Sequence, residues 1–201
     1  MRLIYVVALT LLAAFPAQAE VKIQEVTSPG GLKAWLVEEH SIPFVALDVR
    51  FRGGASLDAP GKRGAINLMT GLLEEGAGEL ASSFRFGVDD DSLSVSARFL
   101  TENQDASVAL LKQALQNPRF DQDAIDRVRG QVLSGIRSSE KDPNDIARKK
   151  MDEMLYGDHP YGSSLDGTVE SVTALTRDDL IAAHDAVMAR DRIYICAVGD
   201  I

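Results

Sequence analysis

Two hydrophobic rhythms run along the chain. In residues 44–51, Val45, Leu47, Val49 and Phe51 alternate with Ala46, Asp48 and Arg50, and in residues 92–100, Leu93, Val95, Ala97 and Phe99 alternate with Ser94, Ser96 and Arg98. Alternation of this kind predicts strands with one buried and one solvated face. Shorter runs at 21–27, 32–38, 83–88 and 192–198 predict four more strands, the first with one slip in phase. Pro29-Gly30-Gly31 marks a turn, residues 40–43 a polar connection, and Asp89-Asp90-Asp91 the turn of a hairpin.

Elsewhere the period is helical. Residues 61–76 place Ile66, Met69, Leu72 and Leu73 on one face, with Gly76-Ala77-Gly78 as the stop. Thr101-Glu102-Asn103-Gln104 resembles a capping box for a helix with Val108, Leu111 and Leu115 inward, ended by Pro118. Asp121 is placed to cap a helix whose stripe is Ile125, Val128, Val132 and Ile136. Asp142-Pro143 supplies the cap and first residue of a helix to 156, and Thr176 opens a last helix to about residue 189. Residues 157–167 read as a loop. Strands, helix, hairpin, helices and a closing strand predict an α+β fold, a mainly antiparallel sheet with helices packed on one face.

Composition adds an address. Arg2, an apolar run over 3–15 and Pro16-Ala17-Gln18-Ala19 make residues 1–19 a signal peptide of bacterial type, so that residues 20–201 form one domain in the periplasm or outside the cell. The alternative, an uncleaved anchor, meets a run short of the roughly 20 residues a span needs. A net charge of −9 argues against nucleic acid or an anionic membrane as the main partner. The lone Cys196, in the apolar run 193–198, reads as a buried strand thiol.

The candidate chemistry sits on the first helix. Positions 67, 70 and 71 have the i, i+3, i+4 spacing that gathers side chains on one face, and such a face can hold zinc when it carries His, Glu and His. Here the residues are Asn67, Thr70 and Gly71. Asn is a poor zinc ligand, a Thr hydroxyl is no general base at neutral pH, and Gly has no side chain. His40, His159 and His184 show no ligand-like pairing and read as surface or capping residues. The acidic turn 89–91 reads as a solvated loop, since its spacing does not match a calcium loop. Glu74 and Glu75 are expected to face solvent.

From residue 20 on, the chain resembles the N-terminal domain of the pitrilysin/insulinase family of zinc peptidases, whose signature is an inverted H-x-x-E-H motif. The residues that carry the likeness are the strand 45–56, Gly61-Lys62-Arg63-Gly64, Pro118-Arg119-Phe120, Asp142-Pro143, His159-Pro160-Tyr161-Gly162 with Gly167-Thr168, and Val198-Gly199-Asp200-Ile201. The departures follow the same alignment. The first His falls on Asn67, the catalytic Glu on Thr70, the second His on Gly71, and the third zinc ligand, a Glu, on Gly135. A helix of about a dozen residues that the family carries between Leu80 and Phe84 is replaced by a tight connection, and residues 20–201 are expected to correspond to the first of the family's two homologous domains, as a fragment or as a shortened subunit.

The resemblance implies a non-catalytic subunit that binds no cofactor or metal itself. It implies pairing with an H-x-x-E-H-containing subunit, where the zinc is expected, around peptide substrates. In this reading Asn67 and Thr70 form part of a cleft wall, or merely solvate a degenerate helix face. Two alternatives stand beside it: an active zinc endopeptidase with unrecognised ligands, and a stand-alone peptide-binding or chaperone-like module. Loss of half the clamshell is expected to leave apolar surface exposed.

Overall fold

The computed structural model describes residues 21–76 and 83–201. The expected leader, the Gly76-Ala77-Gly78 stop beyond residue 76 and most of the connection before Phe84 lie outside the described residues. Six strands, β1 (Gln24–Thr27), β2 (Lys33–Glu38), β3 (Phe44–Arg52), β4 (Ser83–Val88), β5 (Ser92–Leu100) and β6 (Ile193–Gly199), form one mixed sheet in the order β1-β2-β6-β3-β5-β4. Every pairing is antiparallel except β2 with β6. Among the described residues six helices accompany it: α1 (Ala65–Gly76), α2 (Gln104–Gln116), α3 (Gln122–Ser139), α4 (Pro143–Tyr156), α5 (Val169–Thr173) and α6 (Arg177–Val187). The α+β class predicted from the patterns is the class observed.

The alternating residues sort as expected. Val45, Val49 and Phe51 of β3, Phe84 and Phe86 of β4, and Leu93, Val95, Ala97 and Phe99 of β5 are buried on one face. Against them pack Ile66, Leu68, Met69, Leu72 and Leu73 of α1, with Ile125 and Val128 of α3 and Leu180 and Val187 of α6. Each large apolar side chain so placed contributes about 1.5–3 kcal/mol relative to exposure. The whole α1 stripe read from the sequence is in the core, joined by Leu68.

Some expectations change. Helix α1 begins at Ala65, because Gly61 and Gly64 have φ of 76° and 96° and form a turn. Strand β1 is shorter than its apolar pattern, and Val21 and Ile23 are exposed. Thr101 makes no capping bond; residues 101–103 form a 3-10 turn, and the Thr101 hydroxyl donates to the Asp200 carbonyl at 3.4 Å. On α2, Leu111 is buried and Leu115 packs against the core as expected, but Val108 is exposed and Ser107 is buried in its stead. Asp121 stands at the cap of α3 without a side-chain bond, whereas Asp142 accepts from the Asn144 and Asp145 amides. Helix α5, five residues under a Thr168–Ser171 capping box, is too short to show periodicity. Cys196 is half-buried, because its strand position faces the open side of the sheet.

Candidate functional site

The start of α1 is built by a loop rather than by the helix itself. The Asp58 carboxylate accepts the amides of Gly64 and Ile66, both at 2.9 Å, and so satisfies donors that a helix N-terminus leaves unpaired. Burial pushes this carboxyl above its ordinary range, against the pull of those amides and of Arg63. Arg63 is only 15% exposed in its side chain. Its guanidinium donates to Asp90 Oδ1 at 2.9 Å and to the carbonyls of Ser163, Ser164 and Pro160 at 3.0, 3.0 and 3.1 Å. It also donates to the Ala55 carbonyl and lies 3.6 Å from Asp58. One cation thereby ties three loops to the approach of α1.

The backbones interlock at the same place. Gly64 sits where a Cβ would lie 2.5 Å from the Asp166 carbonyl oxygen, and Gly167, with φ 81°, where a Cβ would lie 2.3 Å from the Arg63 carbonyl oxygen. Only glycine permits this approach. The acidic turn belongs to the junction too. Asp89 accepts from the Asp91 and Ser92 amides, Asp90 meets Arg63, and Asp91 accepts from the Tyr161 hydroxyl at 2.5 Å. The turn expected as a solvated loop is exposed at Asp89 and Asp91, and it also serves as a structural corner.

The four positions read from the resemblance as degenerate have distinct surroundings. Asn67 is half-buried, and its Nδ2 donates to Asp166 Oδ1 at 3.0 Å. Thr70 is 4% exposed and donates its hydroxyl to the Ile66 carbonyl at 2.7 Å. It therefore faces its own helix and the core, which removes it from any cleft wall. At Gly71 an added Cβ would meet Val128 Cγ1 at 3.0 Å, so α3 fills the space a side chain would need. Gly135 on α3 is exposed with open space around it. These residues do not fit a catalytic zinc, which needs three N, O or S ligands and an open position. Among the described residues no group of three or more His, Cys, Asp or Glu side chains is placed to hold a metal ion.

The histidines are occupied separately. His40 Nδ1 lies 2.7 Å from Asp200, whose hydrogen bond raises the imidazole above its usual range. His159 caps the turn Pro160–Gly162. His184 is buried, not at the surface, and donates Nε2–H to the Leu115 carbonyl at 2.9 Å. Glu74 and Glu75 are exposed, and Glu75 pairs with Arg127.

A cleft of about 650 Å³ opens beside the Asn67–Asp166 pair. Its lining includes Asp166 and Thr168, Ile136 near the end of α3, and Ile146, Lys149 and Glu153 of α4. Sequence reasoning missed Asp166, Asp58 and the reach of Arg63. Asp166 lies 99 residues from Asn67, so no local signal joins them. Arg63 had one signal, its position between two glycines.

Comparison with known proteins places this geometry. Residues 40–169 match the sequence profile of "Insulinase (Peptidase family M16)". A Helicobacter pylori protein named non-peptidase homolog YmxG is 27% identical over 176 residues, which is 82% of this chain and 41% of that protein. A Bacillus subtilis protein named uncharacterized zinc protease YmxG is 23% identical over 191 residues, 89% of this chain and 47% of that one. Among solved structures, a peptidase M16 inactive domain from Pseudomonas fluorescens superposes with a TM-score of 0.82 at 26% identity, over 90% of this chain and 47% of that chain. A putative M16-like peptidase from Alicyclobacillus acidocaldarius, at TM-score 0.76 and 15% identity, shares the fold. The chain spans about half the length of the relatives it matches or less.

Proposed function

The chain belongs to the insulinase family, peptidase family M16, and from that premise we propose that it is a non-catalytic member acting beside a zinc-bearing subunit on peptides in the periplasm. One observation carries the reading: each of the three positions on α1 where the family places its motif is spent on packing. Asn67 holds Asp166, Thr70 holds its own helix, and Gly71 accommodates Val128. The names of the Helicobacter pylori and Pseudomonas fluorescens relatives, a non-peptidase homolog and an inactive domain, support the same direction.

What remains is a binding role. Strand β4 stands at one edge of the sheet and packs against α1. An extended peptide can add to such an edge through backbone hydrogen bonds, with no metal in the binding half. The zinc and the base then belong to an H-x-x-E-H partner, and the signal peptide delivers this chain to the compartment where the two meet.

The test is co-expression with an H-x-x-E-H-bearing member of the family. A stable complex that cleaves an unstructured peptide is expected, with the isolated chain free of stoichiometric zinc and inactive. Stoichiometric zinc and cleavage by the isolated chain would overturn the proposal. A chain that stays alone yet binds extended peptides would shift the role to a stand-alone binding module.

A further inference from the structure

Strand β6 lies between β2, to which it is parallel, and β3, to which it is antiparallel. Glu38 and Val45 both stand opposite Gly199, so residues 39–43, which join β2 to β3, cross the end of β6 as an arch. The chain leaving Gly199 is gripped there. The Glu39 amide donates to the Gly199 carbonyl at 2.8 Å, and the Asp200 amide to the Phe44 carbonyl at 3.2 Å. A Cβ at Gly199 would lie 2.2 Å from the Phe44 carbonyl oxygen, so the two backbones pass at a distance only glycine permits. Thr101, just past β5, closes a third side. Its amide donates to the Pro43 carbonyl at 3.2 Å and its hydroxyl to the Asp200 carbonyl at 3.4 Å.

One of the contacts across this junction carries charge. His40 of the arch presents Nδ1 to the Asp200 carboxylate at 2.7 Å. Asp200 has no other charged partner among the described residues. The remaining charges that act on His40 are Glu38 and Glu39 of its own segment, and Glu39 is occupied by the Ser41 amide at 2.9 Å. Phe44 of β3 and Thr101 bring none. We propose that the arch and Asp200 form a pH-operated clasp that sets the direction in which the chain leaves the sheet, closed while His40 is protonated and relaxed once it is not. The hydrogen bond to Asp200 lifts the imidazole above its ordinary range. A raised folded value gives a contribution that is complete below the ordinary imidazole range and lost as pH rises through the folded value. A hydrogen bond between ionised groups is roughly twice as strong as a neutral one. Loss of the proton therefore leaves the exit to two backbone bonds and the Thr101 hydroxyl. The clasp involves no residue of α1, so it stands whether or not the chain is a pseudo-peptidase.

The chain has three histidines, and their ring signals followed by NMR against pH test the clasp together with hydrogen exchange at the Asp200 amide. His40 of the unaltered protein should titrate above the ordinary imidazole range and return to it in Asp200→Asn. Protection of the Asp200 amide, corrected for the intrinsic pH dependence of exchange, should fall by about two- to fivefold through the same titration, the scale of an exposed ion pair. In His40→Gln, which has no proton to lose, protection should not change with pH. Should a variant fail to fold, the unaltered protein decides alone: a shared midpoint for the His40 ring and the loss of Asp200 protection supports the clasp, and separate midpoints overturn it. A His40 titration unmoved by Asp200→Asn, or an unchanged pH profile of protection in His40→Gln, also overturns it.

Discussion

Helices α1 and α4 are both short and amphipathic, of 12 and 14 residues, and are held by opposite means. Helix α1 is held by the rest of the molecule. Its apolar side is in the core, and its first turn is tied to Asp58, Arg63 and the Gly64–Gly167 interlock. Helix α4 has no buried residue. Its order comes from local features: the Asp142 cap with Pro143, and exposed ion pairs of Asp145 with Arg148 and Lys150 with Glu153. Met151, Met154 and Leu155 are exposed, and Ile146, half-exposed, lines the cleft. Helix α1 is therefore placed by tertiary packing, whatever its polar positions carry.

Arg63→Ala tests this most severely. It removes one cation from five acceptors and leaves the buried Asp58 beside unpaired carbonyls, so a loss of about 3–5 kcal/mol is expected. Urea denaturation measures it. A loss under about 1 kcal/mol would mean that the loops hold one another without the guanidinium. Leu68→Ala, at a fully buried α1 position, is expected to lose about 2–5 kcal/mol by the same measurement. A smaller loss would place α1 closer to α4 than the packing implies.

These two residues also mark what the sequence made legible. The α1 stripe and the strand alternation were readable because period alone decides which side of an element is apolar. Leu68 escaped because it widens the stripe beyond the spacing that defined it. The degenerate positions could be named from the sequence, but their surroundings could not. Asn67 meets Asp166 and Gly71 meets Val128 through contacts that no local pattern encodes. Thr70 is the clearest case. A Thr on a helix reads as a polar wall residue, yet its hydroxyl can satisfy itself on the carbonyl four residues back and enter the core.

The ion pair that joins α1's approach to α6 gives a smaller effect with a defined pH dependence. Against the cost of burial, the Lys62 ammonium and the Thr176 hydroxyl and amide hold the Asp179 carboxyl below its usual range. A depressed folded value stabilises above the ordinary carboxylate range, and that contribution is lost as pH falls through the folded value. The unaltered protein should therefore lose stability on acidification below the ordinary Asp range more steeply than Asp179→Asn does. At neutral pH the variant should be weaker by about 0.5–1 kcal/mol, the scale of a partly exposed pair. Parallel acid-denaturation slopes would remove Asp179 from the account.

The smallest stability effect is expected on α4, where Met154 is 78% exposed and Leu155 lies beside it. Both side chains stay mostly in water on folding, so Met154→Gln with Leu155→Gln should change stability by no more than about 0.5 kcal/mol. Solubility should respond instead, because the pair belongs to an exposed apolar stripe that favours self-association. Urea denaturation and light scattering at rising protein concentration separate the two effects. Unchanged denaturation with reduced scattering places α4 among elements that fold by local rules and keep an apolar side outward. A loss of about 2 kcal/mol or more would instead mean that this side is covered in solution, since only burial makes a Met or Leu truncation that costly. Helices α1 and α4 would then differ only in which part of the chain covers them.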